Sequence, residues 1–128
     1  MEALRRGLAL AAIAAAAACS VPAAWAGDDR DEVRVRGACT GRSEAQLRLR
    51  TDDGRIRVEF ELENGGPSTR WKIVVLHERR TAWRGSVRTG RRRSLRLRRT
   101  VADWFGTETV AVRASSRGGE TCRASATI

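Results

Sequence analysis

At 128 residues the chain is sized for one domain, which excludes multi-domain enzymes, dinucleotide-binding halves and eight-stranded α/β barrels. A single histidine and three cysteines leave little material for a metal site, and no tyrosine is present. The formal charge of +10 at pH 7 favours acidic partners over basic ones.

The chain opens with Met1 to Arg6, a short basic start, followed by an almost wholly apolar run from Gly7 to Ala18. Small residues at Ala24 and Ala26 bracket Trp25. This order is that of a secretory signal, so a signal helix over 1–26 is expected, with cleavage after Ala26. The apolar run is shorter than the roughly 20 residues a membrane span needs. A rival processing site begins at Ala16-Ala17-Ala18-Cys19-Ser20, which resembles a bacterial lipobox; lipidation at Cys19 would tether the protein, and only that route predicts a membrane contact. Either way the expected location is extracytoplasmic, secreted or in the cell envelope. Residues 27–32 read as a disordered acidic tail and 33–128 as a single domain.

From residue 33 onward apolar and ionic side chains alternate. Val33 and Val35 share a parity with Gly37 and Cys39, and Leu47 and Leu49 alternate with Arg48 and Arg50. Asp53-Gly54 then separates that run from Ile56, Val58, Phe60 and Leu62, a hairpin signal. Asn64 to Ser68 is a loop, Trp71 to Leu76 a dense apolar run suited to a central strand, and Arg79-Arg80 a turn into Ala82 to Val87. A basic loop at Thr89 to Arg93 precedes Leu95 and Leu97. A connection through Asp103-Trp104-Phe105-Gly106 leads to Val110, Val112 and Ala114, a turn at Ser115 to Gly119, and a last strand from Cys122 to Ile128. Period two over so many segments predicts half-buried antiparallel strands. About eight of them, with turns every 8–12 residues, predict an all-β, antiparallel two-sheet sandwich with no helix beyond one turn after the signal. Trp71 and Trp83 match the apolar parity of their strands and are expected in the core. Trp104-Phe105 is expected to plug one end of the sandwich.

With the signal removed, Cys39 and Cys122 remain, and in an oxidising compartment they are expected to form a structural disulfide. Both lie on the apolar parity of their strands. No Cys-x-x-Cys is present, so neither a redox motif nor a zinc site is indicated.

Asp103-x-x-Gly106 ahead of Val110 and Val112, with Trp71 on an early central strand, resembles the later half of immunoglobulin-like and fibronectin type III-like sandwiches. The pattern departs from theirs in lacking a corner tyrosine and in carrying its cysteines at the chain ends. Arg36-Gly37-x-Cys39 and Gly119-Glu120-Thr121-Cys122-Arg123 are similar to motifs in small secreted proteins of high-GC bacteria, a resemblance that implies no activity.

Between Arg79 and Arg99 there are ten arginines and no acid. Arg79, Arg80, Arg84, Arg88, Arg91, Arg92, Arg93, Arg96 and Arg98 are therefore the candidate polyanion-binding set, since guanidinium forks suit phosphate and carboxylate. The ligand expected is an anionic polymer or other envelope component, with no specific nucleic acid. The competing explanation is a solvated surface, because lysine occurs once, at Lys72, and arginine-rich exteriors follow from GC-rich coding. Outward arginines also discourage edge-to-edge strand pairing.

Catalytic chemistry finds little support. His77 has no nucleophile motif beside it and reads as a strand-end or surface residue. Glu59, Glu61 and Glu63 share one face and could mimic a glycosidase pair, but any exposed strand gives that pattern. Asp28, Asp29, Asp31 and Glu32 lack the spacing of a calcium loop. The expectation is a binding or structural module that is not an enzyme and needs no cofactor or metal. A protein-interaction module or enzyme inhibitor is the alternative, and a small hydrolase the remotest one. The sequence leaves oligomeric state and strand order open.

Overall fold

The computed structural model describes residues 31–128. The expected signal helix over 1–26, its cleavage site at Ala24 and Ala26, Cys19, and most of the acidic tail lie outside the described residues. Nine strands follow: β1 (Glu32–Arg36), β2 (Ala38–Cys39), β3 (Glu44–Asp52), β4 (Arg55–Glu63), β5 (Arg70–His77), β6 (Arg80–Arg88), β7 (Leu95–Ala102), β8 (Thr109–Ser116) and β9 (Thr121–Thr127). They form a four-stranded sheet in the order β1-β3-β4-β7 and a five-stranded sheet in the order β2-β9-β8-β5-β6, antiparallel throughout. The fold is thus the two-sheet sandwich that the alternation predicted, with no helix among the described residues. β4 and β7 are neighbours although β5 and β6 intervene in sequence, and β5 lies beside β8 with β9 next to it, a Greek-key order.

Local chemistry explains the connections. Asp53 and Gly54 both have positive φ (50° and 73°), the geometry a two-residue hairpin needs to match strand twist. The β5–β6 hairpin turns on Glu78 and Arg79, also at positive φ (51° and 67°), one residue earlier than the expected Arg79-Arg80 turn. β1 and β2 are almost one strand, but the chain changes sheets at Gly37. A Cβ there would lie 2.7 Å from the Arg123 carbonyl oxygen and 3.0 Å from Ala45 Cβ, so only glycine lets the two sheets meet at this crossing. The ladder begins slightly before the expected boundary at 33: Glu32 belongs to β1, and Asp31 is tied to Thr51 by two hydrogen bonds.

The core is the sum of the inward parities. Leu47, Leu49, Ile56, Val58, Phe60 and Leu62 from one sheet meet Trp71, Ile73, Val75, Val110 and Val112 from the other, all essentially inaccessible. The Trp71 indole N–H donates to the Gly65 carbonyl (3.0 Å), which satisfies its one polar atom inside the core. Trp83 is only half-buried. It closes the open edge between β6 and β7, where the Arg99 guanidinium lies over its ring at 4.4 Å from the centroid. Cys39 and Cys122 face each other in register and are joined as a disulfide across 83 residues, with Cys122 buried and Cys39 half-buried.

Candidate anion-binding face

The arginines from 79 to 99 do not converge. Arg79 and Arg80 sit at the β5–β6 hairpin, and Arg91, Arg92 and Arg93 sit on the β6–β7 loop at the far end of β6, roughly 25 Å away for a strand of that length. Arg84 and Arg88 face outward from β6 on the five-stranded sheet. Arg96 and Arg98 face outward from β7 on the opposite sheet, and the exposed Arg99 lies over the Trp83 ring at the sandwich edge. The candidate set is split over two faces and two ends.

On the four-stranded sheet acids stand among the outward arginines: Arg50 faces Arg57, which Asp52 takes at 3.4 Å, and the rest of the lattice centres on two glutamates. Glu59 is opposite Arg48 on one side and Arg98 on the other, and Glu61 is opposite Arg96. Glu59 takes Arg48 at 3.6 Å, Arg96 at 3.6 Å and Arg98 at 3.4 Å, and Glu61 takes Arg96 at 2.6 Å. Glu32 bridges Arg34 and Arg48. Burial works against its charge, but hydrogen bonds and attraction from these two arginines hold the Glu32 carboxyl below its ordinary value. Of the glutamates that could have imitated a glycosidase pair, Glu59 and Glu61 are therefore counter-ions of an arginine lattice, while Glu63 stands opposite Glu44.

The five-stranded sheet is different. Its outward positions carry Arg70 and Lys72 on β5, Arg84 and Arg88 on β6, Arg113 on β8 and Arg123 on β9, with serine, threonine, alanine, valine and leucine between them and no acid among the described residues. Arg113 stands directly opposite Arg123, and Arg70 opposite Arg88. Like charges facing each other across a ladder are unfavourable. Arg88 donates to the Ser68 carbonyl, but Lys72, Arg84, Arg113 and Arg123 have no hydrogen-bond or ion-pair partner among the described residues. A cleft of about 590 Å³ opens here, lined by these four cations, by Ser86, Ser115 and Thr121, and by Val74, Gly85 and Ala114. Arg113, Arg123 and Lys72 were missed in the sequence because each stands alone in its strand. Parity with Val112 and Ala114, and with Cys122 and Ala124, marks both arginines as outward-facing.

A second polar cluster lies at the hairpin end. His77 is at the end of β5 as expected but is buried, not on the surface. Its Nε2 is 2.8 Å from Glu108 Oε1, and that oxygen also accepts the Trp104 backbone N–H at 2.8 Å. The Trp104 ring stacks on His77 with centroids 4.1 Å apart. Trp104 nevertheless stays half-exposed and Phe105 is fully exposed, so the aromatic pair does not plug the sandwich. The buried Glu108 Oε2 has no acceptor-compatible partner unless the Asp103 carboxyl donates to it. That hydrogen bond is the main reason the Asp103 carboxyl is held above its ordinary value. Burial would raise Glu108, but Trp104, Asp103 and His77 together hold it below. The cluster has no nucleophile and serves to pin the β7–β8 loop.

Cys39, Glu120 and Cys122 place their ligand atoms within 4.8 Å of one another, a metal-like grouping. Both sulfurs are committed to the disulfide, and Glu120 Oε1 accepts the Ser43 N–H at 2.8 Å. The motif residues Gly37, Cys39, Glu120 and Cys122 thus all secure the sheet crossing. Compared with protein-family models, curated proteins and solved structures, the chain matches none.

Proposed function

We propose that this is an exported, non-catalytic binding module whose five-stranded face captures anionic polymers of the cell envelope. One observation carries the reading: Arg113 and Arg123 face each other in register, beside Lys72 and Arg84, with no acid on that face among the described residues. An arrangement that costs stability without a counter-ion is explained by a ligand that brings one. The disulfide supports an oxidising location, together with the signal-like sequence before residue 27. The two-sheet antiparallel sandwich supports a binding role only as a scaffold that hosts many functions; its order, with consecutive β3 and β4 in one sheet, departs from that of immunoglobulin domains.

Retention on immobilised heparin or teichoic acid at two ionic strengths tests it. Wild type is expected to bind at low salt and to lose affinity steeply as salt rises, because bound counter-ions are released. Arg113→Glu with Arg123→Glu is expected to weaken binding by about tenfold or more, since charge-assisted hydrogen bonds are worth roughly 1.5–3 kcal/mol each. Arg96→Glu with Arg98→Glu, on the other face, is expected to leave retention nearly unchanged. No retention at low salt, or equal loss from both pairs, overturns the reading.

A second reading, a protein-interaction module or inhibitor, is favoured by Phe105, which is fully exposed on a loop pinned at both ends. A stoichiometric protein partner lost with Phe105→Ala but kept with the Arg113/Arg123 variant would exchange the two readings.

A further inference from the structure

We propose that the centre of the five-stranded face is a subsite for one anionic sugar residue, its charged substituent held by Arg113 and Arg123 and its ring laid across Val74. The inference rests on the reading of that face as anion-binding and names what the face recognises.

Register fixes the arrangement. Val74 is opposite Arg84 on one side and Arg113 on the other, and Arg113 is opposite Arg123. With strands about 4.8 Å apart, the two facing guanidiniums can close on one group, while Arg84 lies roughly 10 Å from Arg113. Between them is no charge but a half-buried valine beside the bare backbone of Gly85. A surface shaped only to follow a line of phosphates has no use for that apolar gap. One row further along the strands, Lys72 is opposite Ser86 and Ser115, and Ser115 is opposite Thr121. The hydroxyls of this row can each donate and accept.

The chemistry of a ligand follows from these three features. Two adjacent guanidiniums suit a single many-oxygen group such as a carboxylate, sulfate or phosphate. A row of hydroxyls suits a polyol. An apolar strip suits the C–H face of a ring. An acidic or phosphorylated sugar combines all three, and the cleft of about 590 Å³ is of a size to hold it. Nucleic acid fits less well, because single-stranded bases are held by aromatic stacking and no aromatic side chain lines the cleft among the described residues.

Calorimetric titration of the chain with a uronic-acid disaccharide, a longer oligosaccharide of the same repeat, a sugar phosphate, and polyphosphate tests the proposal. The saccharides are expected to saturate one site and to lose less affinity on adding salt than polyphosphate does. Val74→Arg adds charge while filling the floor, so it is expected to strengthen polyphosphate binding and weaken saccharide binding by about tenfold. Ser115→Ala with Thr121→Ala, which leaves charge and floor intact, is expected to weaken the saccharides alone. Affinity that rises with oligosaccharide length identifies a polymer repeat as the source, and equal affinity for the sugar phosphate a free sugar; both support the subsite. If Val74→Arg strengthens all ligands alike and the serine–threonine variant changes none, the subsite is overturned while the anion-binding reading stands. If polyphosphate and saccharides both fail to bind at low salt, that reading falls, and the subsite with it.

Discussion

On the four-stranded sheet Glu59 stands in register between Arg48 and Arg98, whereas on the five-stranded sheet Arg113 stands between Val74 and Arg123. Both faces are built from the same alternation of apolar and ionic residues, and both are rich in arginine. One has its counter-ions built into the neighbouring strand. The other must find them in solution. Net charge therefore says little about where an anion would bind; what decides it is which residue lies across the ladder. The run from Arg79 to Arg99 is the densest basic segment of the chain, yet part of it is spent on Glu59 and Glu61, part on Trp83 and part on two opposite ends.

The largest effect that can break this contrast is loss of the disulfide, because both cysteines belong to the five-stranded sheet and β2 is only two residues long. By loop-closure entropy over 83 residues, Cys39→Ser with Cys122→Ser is expected to destabilise the fold by about 4 kcal/mol. Denaturant unfolding measures the loss. Anion retention is expected to fall with it, since Arg123 is the residue next to Cys122 on β9. A double variant with unchanged stability would remove the structural role given to the bridge.

Next in size is an attempt to make the two faces alike. Glu59→Gln with Glu61→Gln strips the counter-ions from Arg96 and Arg98 and leaves Arg48 with Glu32 alone. A cost of about 1 kcal/mol is expected, in keeping with a small network of surface and part-buried ion pairs. The same variant is expected to gain anion retention at low salt, through a face whose Arg96 and Arg98 are held by glutamate in the wild type. Unchanged retention would show that exposed arginine alone does not make a binding surface, and would shift weight to the cleft beside Val74.

Much of this architecture is legible in the sequence, for reasons that are local. Leu47, Leu49, Ile56, Val58, Phe60 and Leu62 alternate cleanly, and Asp53-Gly54 marks the hairpin between them; strand identity and facing follow from two residues at a time. The pairing of Cys39 with Cys122 follows from parity and number. Sheet membership does not, because it depends on which strands meet across the sandwich. Hence Arg84 and Arg96 are twelve residues apart in one basic run but face away from each other. The pair that carries the binding reading was within reach, however: the turn at Ser115 to Gly119 folds β8 onto β9 and sets Arg113 opposite Arg123. His77 was not. Its partner Glu108 comes from an aperiodic connection 31 residues later, and no spacing rule joins them.

A smaller effect probes the cost of the unpaired cations. Arg123→Thr removes one member of a facing like-charge pair and places a β-branched residue on a strand. It is expected to raise stability by a few tenths of a kcal/mol while lowering anion affinity. A gain in stability bought at the binding face is what a functional surface shows, and a loss would mean that Arg123 has a structural partner instead.

The smallest effect on binding is expected at the hairpin end, where the Asp103–Glu108–His77 cluster holds Trp104. Asp103 keeps its proton to higher pH in the folded chain than in the unfolded one, so its contribution is complete at low pH and fades as pH rises through the raised value. Glu108 acts in the opposite sense: held below its ordinary value, it contributes above the normal carboxylate range and is lost as pH falls. The clasp is therefore tightest between the lowered Glu108 value and the raised Asp103 value, and the loop loosens as pH rises past the latter. Asp103→Asn supplies a permanent N–H donor toward Glu108 Oε2, so it is expected to slow exchange of the Trp104 backbone amide at neutral pH and to flatten its pH dependence. Arg113 lies four residues along β8 from Thr109, roughly 13 Å from this end. Anion retention should consequently be the same for Asp103→Asn and wild type at every pH. A shift in retention with this substitution would mean that the end of the sandwich and its five-stranded face act together, and the confinement of binding to that face would have to be given up.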